Sequence, residues 1–273
     1  MLKRTISTIL LWSVLLLCLR FFGTDGAVWL ITAMSVLTLY EFYQMLGHMA
    51  LTPFHRLSLA LGAAITLAPR YFEPHVSAAE LLALGVIVFS VRILGEREPQ
   101  TRVETLCWSL FGLVYVPFML QFLVRIALVA TPRPQSGLVL VFWLIAVSKL
   151  CDTGALLTGL AIGRHKMAPQ ISPKKTWEGL TGGVLISVIA GAALAWGCRD
   201  YLPPNFTPLI AAVVAFPIAV LGAISDLVES IIKRRAEIKD TGHTIPGIGG
   251  VFDLSDSLIL TAPVGWVVFH LLQ

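Results

Sequence analysis

The chain has 273 residues, 56% of them hydrophobic and only 13% charged, with a mean hydropathy of +0.82 and a formal net charge of +4. A soluble domain carries about 25% charged residues, so this composition excludes an ordinary water-soluble globule and points to an all-α, polytopic integral membrane protein. No basic stripe with interleaved aromatic residues occurs, which argues against nucleic-acid binding.

A membrane span needs about 20 apolar residues. The sequence offers about nine, near 6–22, 27–47, 57–72, 78–95, 104–129, 137–159, 179–198, 206–228 and 252–271. Lipid offers the backbone no hydrogen-bond partners, so each is expected to be a helix. The first apolar run follows MLKR and reaches Leu19 without a small-x-small cleavage site, which favours a retained helix over a signal peptide. The cysteines (Cys18, Cys107, Cys151, Cys198) are scattered without a CxxC pair and read as small apolar side chains. With the N-terminus inside, 13 of the 20 basic residues fall on inner segments and three (Arg70, Arg133, Arg199) on outer loops. That asymmetry obeys the positive-inside rule. It also puts two long loops, 160–178 and 229–251, on the cytoplasmic side. The early spans, 1–130, carry few distinctive polar residues. The second half, 131–273, carries nearly all the chemistry and is expected to be the catalytic region.

The chemistry begins at Asp152, with Ser148 one turn earlier and Lys149 beside it, all inside an apolar run. An ionisable residue there is costly and by default marks a functional site, although an Asp–Lys pair joining helices explains it too. Next comes the loop GRHKMAPQISPKKTWEG, Gly163 to Gly179. Pro169 and Pro173 bar a continuous helix. Lys174 and Lys175 offer ammonium groups to phosphates, Ser172 and Thr176 offer hydroxyls, and a helix starting at Thr176 would present free N–H groups to an anion. Two lysines alone fit a topogenic role equally well.

The densest stretch is SDLVESIIKRRAEIKDTGHTIPGIGGVFDLSDS, Ser225 to Ser257. Asp226, Glu229, Ser230 and Lys233 fall at i, i+3, i+4 and i+7 and share one helical face. Asp253 and Asp256 share a face at the start of the last span. The loop between, with Gly242, Pro246, Gly247, Gly249 and Gly250, permits the chain to fold back. Carboxylates from two helices then suit Mg²⁺, which typically takes one or two of them plus substrate phosphates. His165 and His243 have no nucleophile set beside them, and no Ser-His-Asp order, HExxH or Walker A loop occurs.

In these residues the chain resembles the phosphatidate cytidylyltransferases, or CDP-diacylglycerol synthases. Their signature corresponds to Asp226, Leu227, Glu229, Ser230, Lys233, Arg234, Lys239, Asp240, Pro246, Gly247, Gly249, Gly250, Asp253 and Asp256. Their Ser-Pro-Lys-Lys-Thr-x-Glu-Gly motif corresponds to Ser172–Gly179, and their Asp with a following small hydroxyl residue to Asp152 and Thr153. The chain departs from the usual pattern at Ile248, Leu254, Ser225 and Leu156. The resemblance implies transfer of the cytidylyl group of CTP to phosphatidate, giving CDP-diacylglycerol and pyrophosphate for phospholipid synthesis. It implies Asp226, Asp253 and Asp256 as ligands of Mg²⁺, with room for a second, monovalent cation. It implies Lys233, Lys239 and Asp240 as catalytic groups. Asp152, Ser172, Lys174, Lys175, Thr176, Glu178, Ser230, Arg234, Gly249 and Gly250 are the implied substrate contacts. The implied setting is the cell (inner) membrane, multi-pass, with the site facing the cytoplasm, phosphatidate in the cytoplasmic leaflet, and a homodimer as the plausible assembly.

Two other readings stand beside it. A CTP-dependent polyprenol or phytol kinase needs the same nucleotide and metal but releases CDP. A non-catalytic divergent membrane homologue, or a transporter, would account for Ile248 and Leu254. A transporter, however, often shows inverted repeats with polar residues at mid-bilayer, whereas here they cluster at the inner half.

Overall fold

The computed structural model describes residues 2–95, 101–129, 135–238, 241–242 and 249–272. They are overwhelmingly helical, as a lipid-buried backbone requires. In chain order the helices are α1 (Leu2–Gly47), α2 (His55–Tyr71), α3 (Ala78–Leu94), α4 (Arg102–Leu113), a π-helical turn (Val114–Phe118), α5 (Met119–Ala127), α6 (Ser136–Ile162), α7 (Trp177–Gly197), α8 (Pro208–Arg235) and α9 (Val251–Leu271). Between α6 and α7 lies an antiparallel hairpin, β1 (Lys166–Ala168) and β2 (Ser172–Thr176), which pairs Lys166 with Thr176 and Ala168 with Ser172.

Among the described residues, six helices are long and apolar enough to cross a membrane: Leu17–Gly47, Arg102–Ala127, Ser136–Ile162, Trp177–Gly197, Pro208–Arg235 and Val251–Leu271. The expected count of nine is not confirmed. The first two expected spans both fall within α1, whose helical course breaks at Gly23, where a φ of +54° suits a residue without Cβ. The next two, α2 and α3, have 17 residues each, about 26 Å of helix against a hydrocarbon core of about 30 Å.

The chain forms two compact units. The first comprises Met1–Arg125 and Lys233–Ser255. Its core includes Leu39, Phe42, Tyr43 and Leu46 of α1, all fully buried. Tyr43 Oη donates to the Ser109 carbonyl at 2.8 Å, and Ser109 Oγ accepts from the Phe54 amide at 2.9 Å. Ser77 opens α3 with a reciprocal capping box to Glu80. Phe42 meets Phe252 edge-on, ring centroids 5.9 Å apart.

The second unit comprises Ile126–Ile232 and Asp256–Gln273. Here α6 and α7 lie against each other through small residues. A Cβ on Gly183 would come within 2.5 Å of the Cys151 carbonyl oxygen, and one on Gly154 within 3.1 Å of Gly183 Cα. In lipid, apolar burial does not drive helices together, so close van der Waals contact and interhelical hydrogen bonds must. Trp143 Nε1 donates to the Gly191 carbonyl at 2.8 Å, and Ser187 Oγ to the Val147 carbonyl at 2.8 Å.

Candidate active site

The second unit gathers most of the sequence-predicted site. Pro169 and Pro173 do not simply interrupt a helix; the segment turns back as the β1–β2 hairpin. That brings Lys174 and Lys175 to α7, whose N-cap is Thr176. Its extended backbone (φ −127°, ψ 154°) leaves Oγ1 free to accept from the Gly179 amide at 3.1 Å. Glu178 anchors the hairpin. Its carboxylate accepts from the Arg164 amide at 3.1 Å and the His165 amide at 3.2 Å, and meets His165 Nδ1. It is therefore engaged in holding the hairpin.

A cavity of about 170 Å³ opens beside these residues, lined among others by Asp152, Lys174, Lys175, Thr176, Gly179 and Asp226. Lys174 is exposed and Ser172 half-buried on β2. Lys175 makes an ion pair with Asp226, and among the described residues its Nζ has no hydrogen-bonding partner beyond that charge contact. Asp226 in turn belongs to an acidic cluster with Glu229 and Asp256. One carboxylate oxygen from each lies within 4.8 Å of the others. Glu229 and Asp256 are buried. Asp256 is fixed from several sides. Its Oδ1 accepts from the Ser257 amide at 2.6 Å and from Lys149 Nζ at 3.3 Å, and its carbonyl accepts from Ser225 Oγ. Lys149 also reaches Asp152 Oδ2 at 3.8 Å within α6, while its pair with Asp256 joins α6 to α9, so Asp152 belongs to the same constellation. Ser230 is half-buried on α8.

Three carboxylates held this close repel one another unless cations share the space. Their oxygen donor set, with two buried members, fits a hard divalent cation such as Mg²⁺. Sequence spacing put Glu229 on the right face but gave it no role; its i+3 offset from Asp226 was the available signal.

The first unit holds Lys233, Arg234, Gly249, Gly250 and Asp253. Lys233 Nζ donates to Asp253 Oδ1 at 2.8 Å, and Asp253 Oδ2 accepts from the Gly250 amide at 2.9 Å. Arg234 is exposed in the last turn of α8. Gly249 has φ +130°, a left-handed conformation that glycine tolerates. Lys239 and Asp240 lie outside the described residues, as do His243, Pro246, Gly247 and Ile248. Sequence reasoning passed over Glu41, whose carboxylate accepts from the Phe252 amide. Its signal was a charge within the expected span 27–47.

A family model described as "Cytidylyltransferase family" matches residues 2–272. A protein named phosphatidate cytidylyltransferase from Staphylococcus aureus (strain COL) is 31% identical over 208 residues, 75% of this chain and 75% of that protein. A protein of the same name from Rickettsia bellii (strain RML369-C) is 30% identical over 210 residues, 76% of this chain and 88% of that one. The uncharacterized protein YnbB of Escherichia coli (strain K12) is 35% identical over 170 residues, 61% of this chain and 54% of its own length.

Proposed function

The chain belongs to the cytidylyltransferase family, and we propose that it transfers the cytidylyl group of CTP to phosphatidate, forming CDP-diacylglycerol and pyrophosphate. The observation that carries this reading is the acidic cluster Asp226–Glu229–Asp256 set beside a lysine-bearing cavity at the start of α7. Both reactants are polyanions, and phosphatidate already carries an anionic phosphate oxygen. The task is charge neutralisation and alignment rather than proton abstraction.

Asp226, Glu229 and Asp256 are the residues that would hold Mg²⁺, which when bound neutralises phosphate charge and favours in-line displacement. Lys174, Lys175 and Thr176 bind the nucleotide phosphates. The Thr176 cap keeps that helix start in place, and Glu178 holds the hairpin that carries both lysines. Lys149 balances Asp256 and orients it. Within the first unit, Lys233 and Asp253 keep the catalytic and metal-ligand roles that the resemblance implies. CTP is cytosolic, so the site faces the cytoplasm. The excess of Lys and Arg on the inner segments supports that orientation.

The test is product analysis with purified protein in vesicles containing phosphatidate, with CTP, Mg²⁺ and a polyprenol as competing acceptor. CDP-diacylglycerol and pyrophosphate are expected. CDP with a phosphorylated alcohol would replace the reading with a kinase, and CTP binding without turnover would replace it with a non-catalytic homologue.

A further inference from the structure

Glu41 lies six residues before the end of α1, within the apolar run 27–47, where a carboxylate is costly unless it has a task. It is only 3% exposed. Within the first unit its Oε2 accepts from the Phe252 amide at 2.8 Å, with the Thr241 hydroxyl at 3.5 Å. Phe252 is the second residue of α9, so the bond satisfies an amide that the helix itself leaves unpaired. It also sets a negative charge at the positive end of the helix dipole.

The backbone is shaped to receive this carboxylate. A Cβ on Gly250 would collide with Glu41 Oε2 and Thr241 Oγ1, and one on Gly242 would come within 2.9 Å of Glu41 Oε1. Neighbours on the same face of α1 add to the hold. Thr38 Oγ1 shares a 2.8 Å hydrogen bond with Ser255 Oγ, and Phe42 packs edge-on against Phe252. Positions 38, 41 and 42 thus grip the chain over residues 250–255, a sequence separation of more than 200 residues. Asp253 follows Phe252 directly. Its carboxylate, between the Gly250 amide and Lys233, depends on where that helix starts.

We propose that Glu41 is a positioning residue for the transfer reaction: it fixes the start of α9 and thereby the setting of Asp253 beside Lys233. The link to catalysis rests on the cytidylyl-transfer reading. The link to local order stands without it.

The experiment compares the full-length wild type with Glu41→Ala, Glu41→Gln and Glu41→Asp in phosphatidate vesicles with CTP and Mg²⁺. Hydrogen exchange is read over the peptide 249–255. Loss of a hydrogen bond to a charged acceptor predicts amide exchange faster by about tenfold or more in Glu41→Ala. A kcat loss of about tenfold is expected with KM for CTP within about threefold, because the nucleotide pocket is untouched. Glu41→Gln, which keeps an acceptor oxygen, restores both; a merely charged core residue would not be rescued this way. Glu41→Asp, one methylene too short, behaves like Glu41→Ala and replaces it if the alanine variant does not purify as folded protein. Wild-type exchange and kcat in both Glu41→Ala and Glu41→Asp overturn the proposal, as does a kcat loss that glutamine fails to rescue. A wild type silent towards CTP and phosphatidate would sink the reaction reading, and the exchange data would still decide the role of Glu41 at the start of α9.

Discussion

Lys149 Nζ donates to Asp256 Oδ1 at 3.3 Å, a bond from α6 to α9 inside the second unit. The Asp256 side chain is only 9% exposed, whereas Lys149 is 35% exposed. Removing the ammonium leaves a nearly buried carboxylate close to two others. A fully buried broken pair costs about 3–5 kcal/mol, and partial exposure of Lys149 reduces that to about 1–2 kcal/mol. Lys149→Met is expected to lower the thermal midpoint accordingly and to cut turnover. Lys149→Arg should keep most of both. Saturating Mg²⁺ should narrow the stability gap, because a cation bound only by folded protein stabilises it. An unchanged midpoint in Lys149→Met would show the pair to be incidental.

Carboxylate-to-amide changes test the acidic cluster with minimal change of shape. Asp226→Asn, Glu229→Gln and Asp256→Asn should each reduce transfer by about a hundredfold or more, since each removes a charge from the cation site. Asp253→Asn should do the same while the protein stays folded. Chelation of divalent metal should abolish activity in the wild type, and added Mg²⁺ should restore it. A fully active Asp226→Asn or Asp256→Asn enzyme in vesicles with Mg²⁺ would falsify the ligand assignment.

Glu178 gives a different signature. It holds Arg164 and His165, so Glu178→Ala should loosen the hairpin that bears Lys174 and Lys175. The expected result is KM for CTP raised about tenfold with kcat changed by less than about threefold, about 1.4 kcal/mol of binding. Glu178→Gln keeps acceptors for the two amides and should fall between. If kcat collapses while KM holds, Glu178 acts on the reacting groups and not through the hairpin.

The composition and the runs of apolar residues made the helical membrane architecture legible, because the bilayer imposes the same requirement on every span. Six helices qualify as spans among the described residues, and the count of nine is not confirmed. Hydropathy alone does not register that the backbone breaks at Gly23 between two apolar runs, or that α2 and α3 have 17 residues each. At the site, i+3 and i+4 spacing put Asp226 and Glu229 on one face, but pairing between distant segments was invisible. Lys175 with Asp226, Lys149 with Asp256, and Glu41 with Phe252 join residues roughly 50 to 210 positions apart in sequence. Local periodicity carries no information about such partners. The prolines at 169 and 173 announced a break in helix; they did not announce a hairpin, which needed the cross-strand register of Lys166 with Thr176.

The close helix approach at Gly183 predicts a stability effect that leaves the chemistry untouched. Gly183 faces α6 with no room for a side chain, since a Cβ there would also lie 2.9 Å from the Ala155 Cβ. Backbone atoms of a packed helix do not yield as a flexible side-chain tip would, so Gly183→Val must push α6 and α7 apart. Overpacking of this kind costs about 1–3 kcal/mol or more. The variant should show reduced monodisperse yield and a lower unfolding midpoint, with activity lost in proportion to folded protein. Gly197→Ala, where a Cβ meets nothing within 4 Å, is the matched control and should be neutral within about 1 kcal/mol. Equal stability of the two variants would show that the α6–α7 contact is not held by the glycine approach.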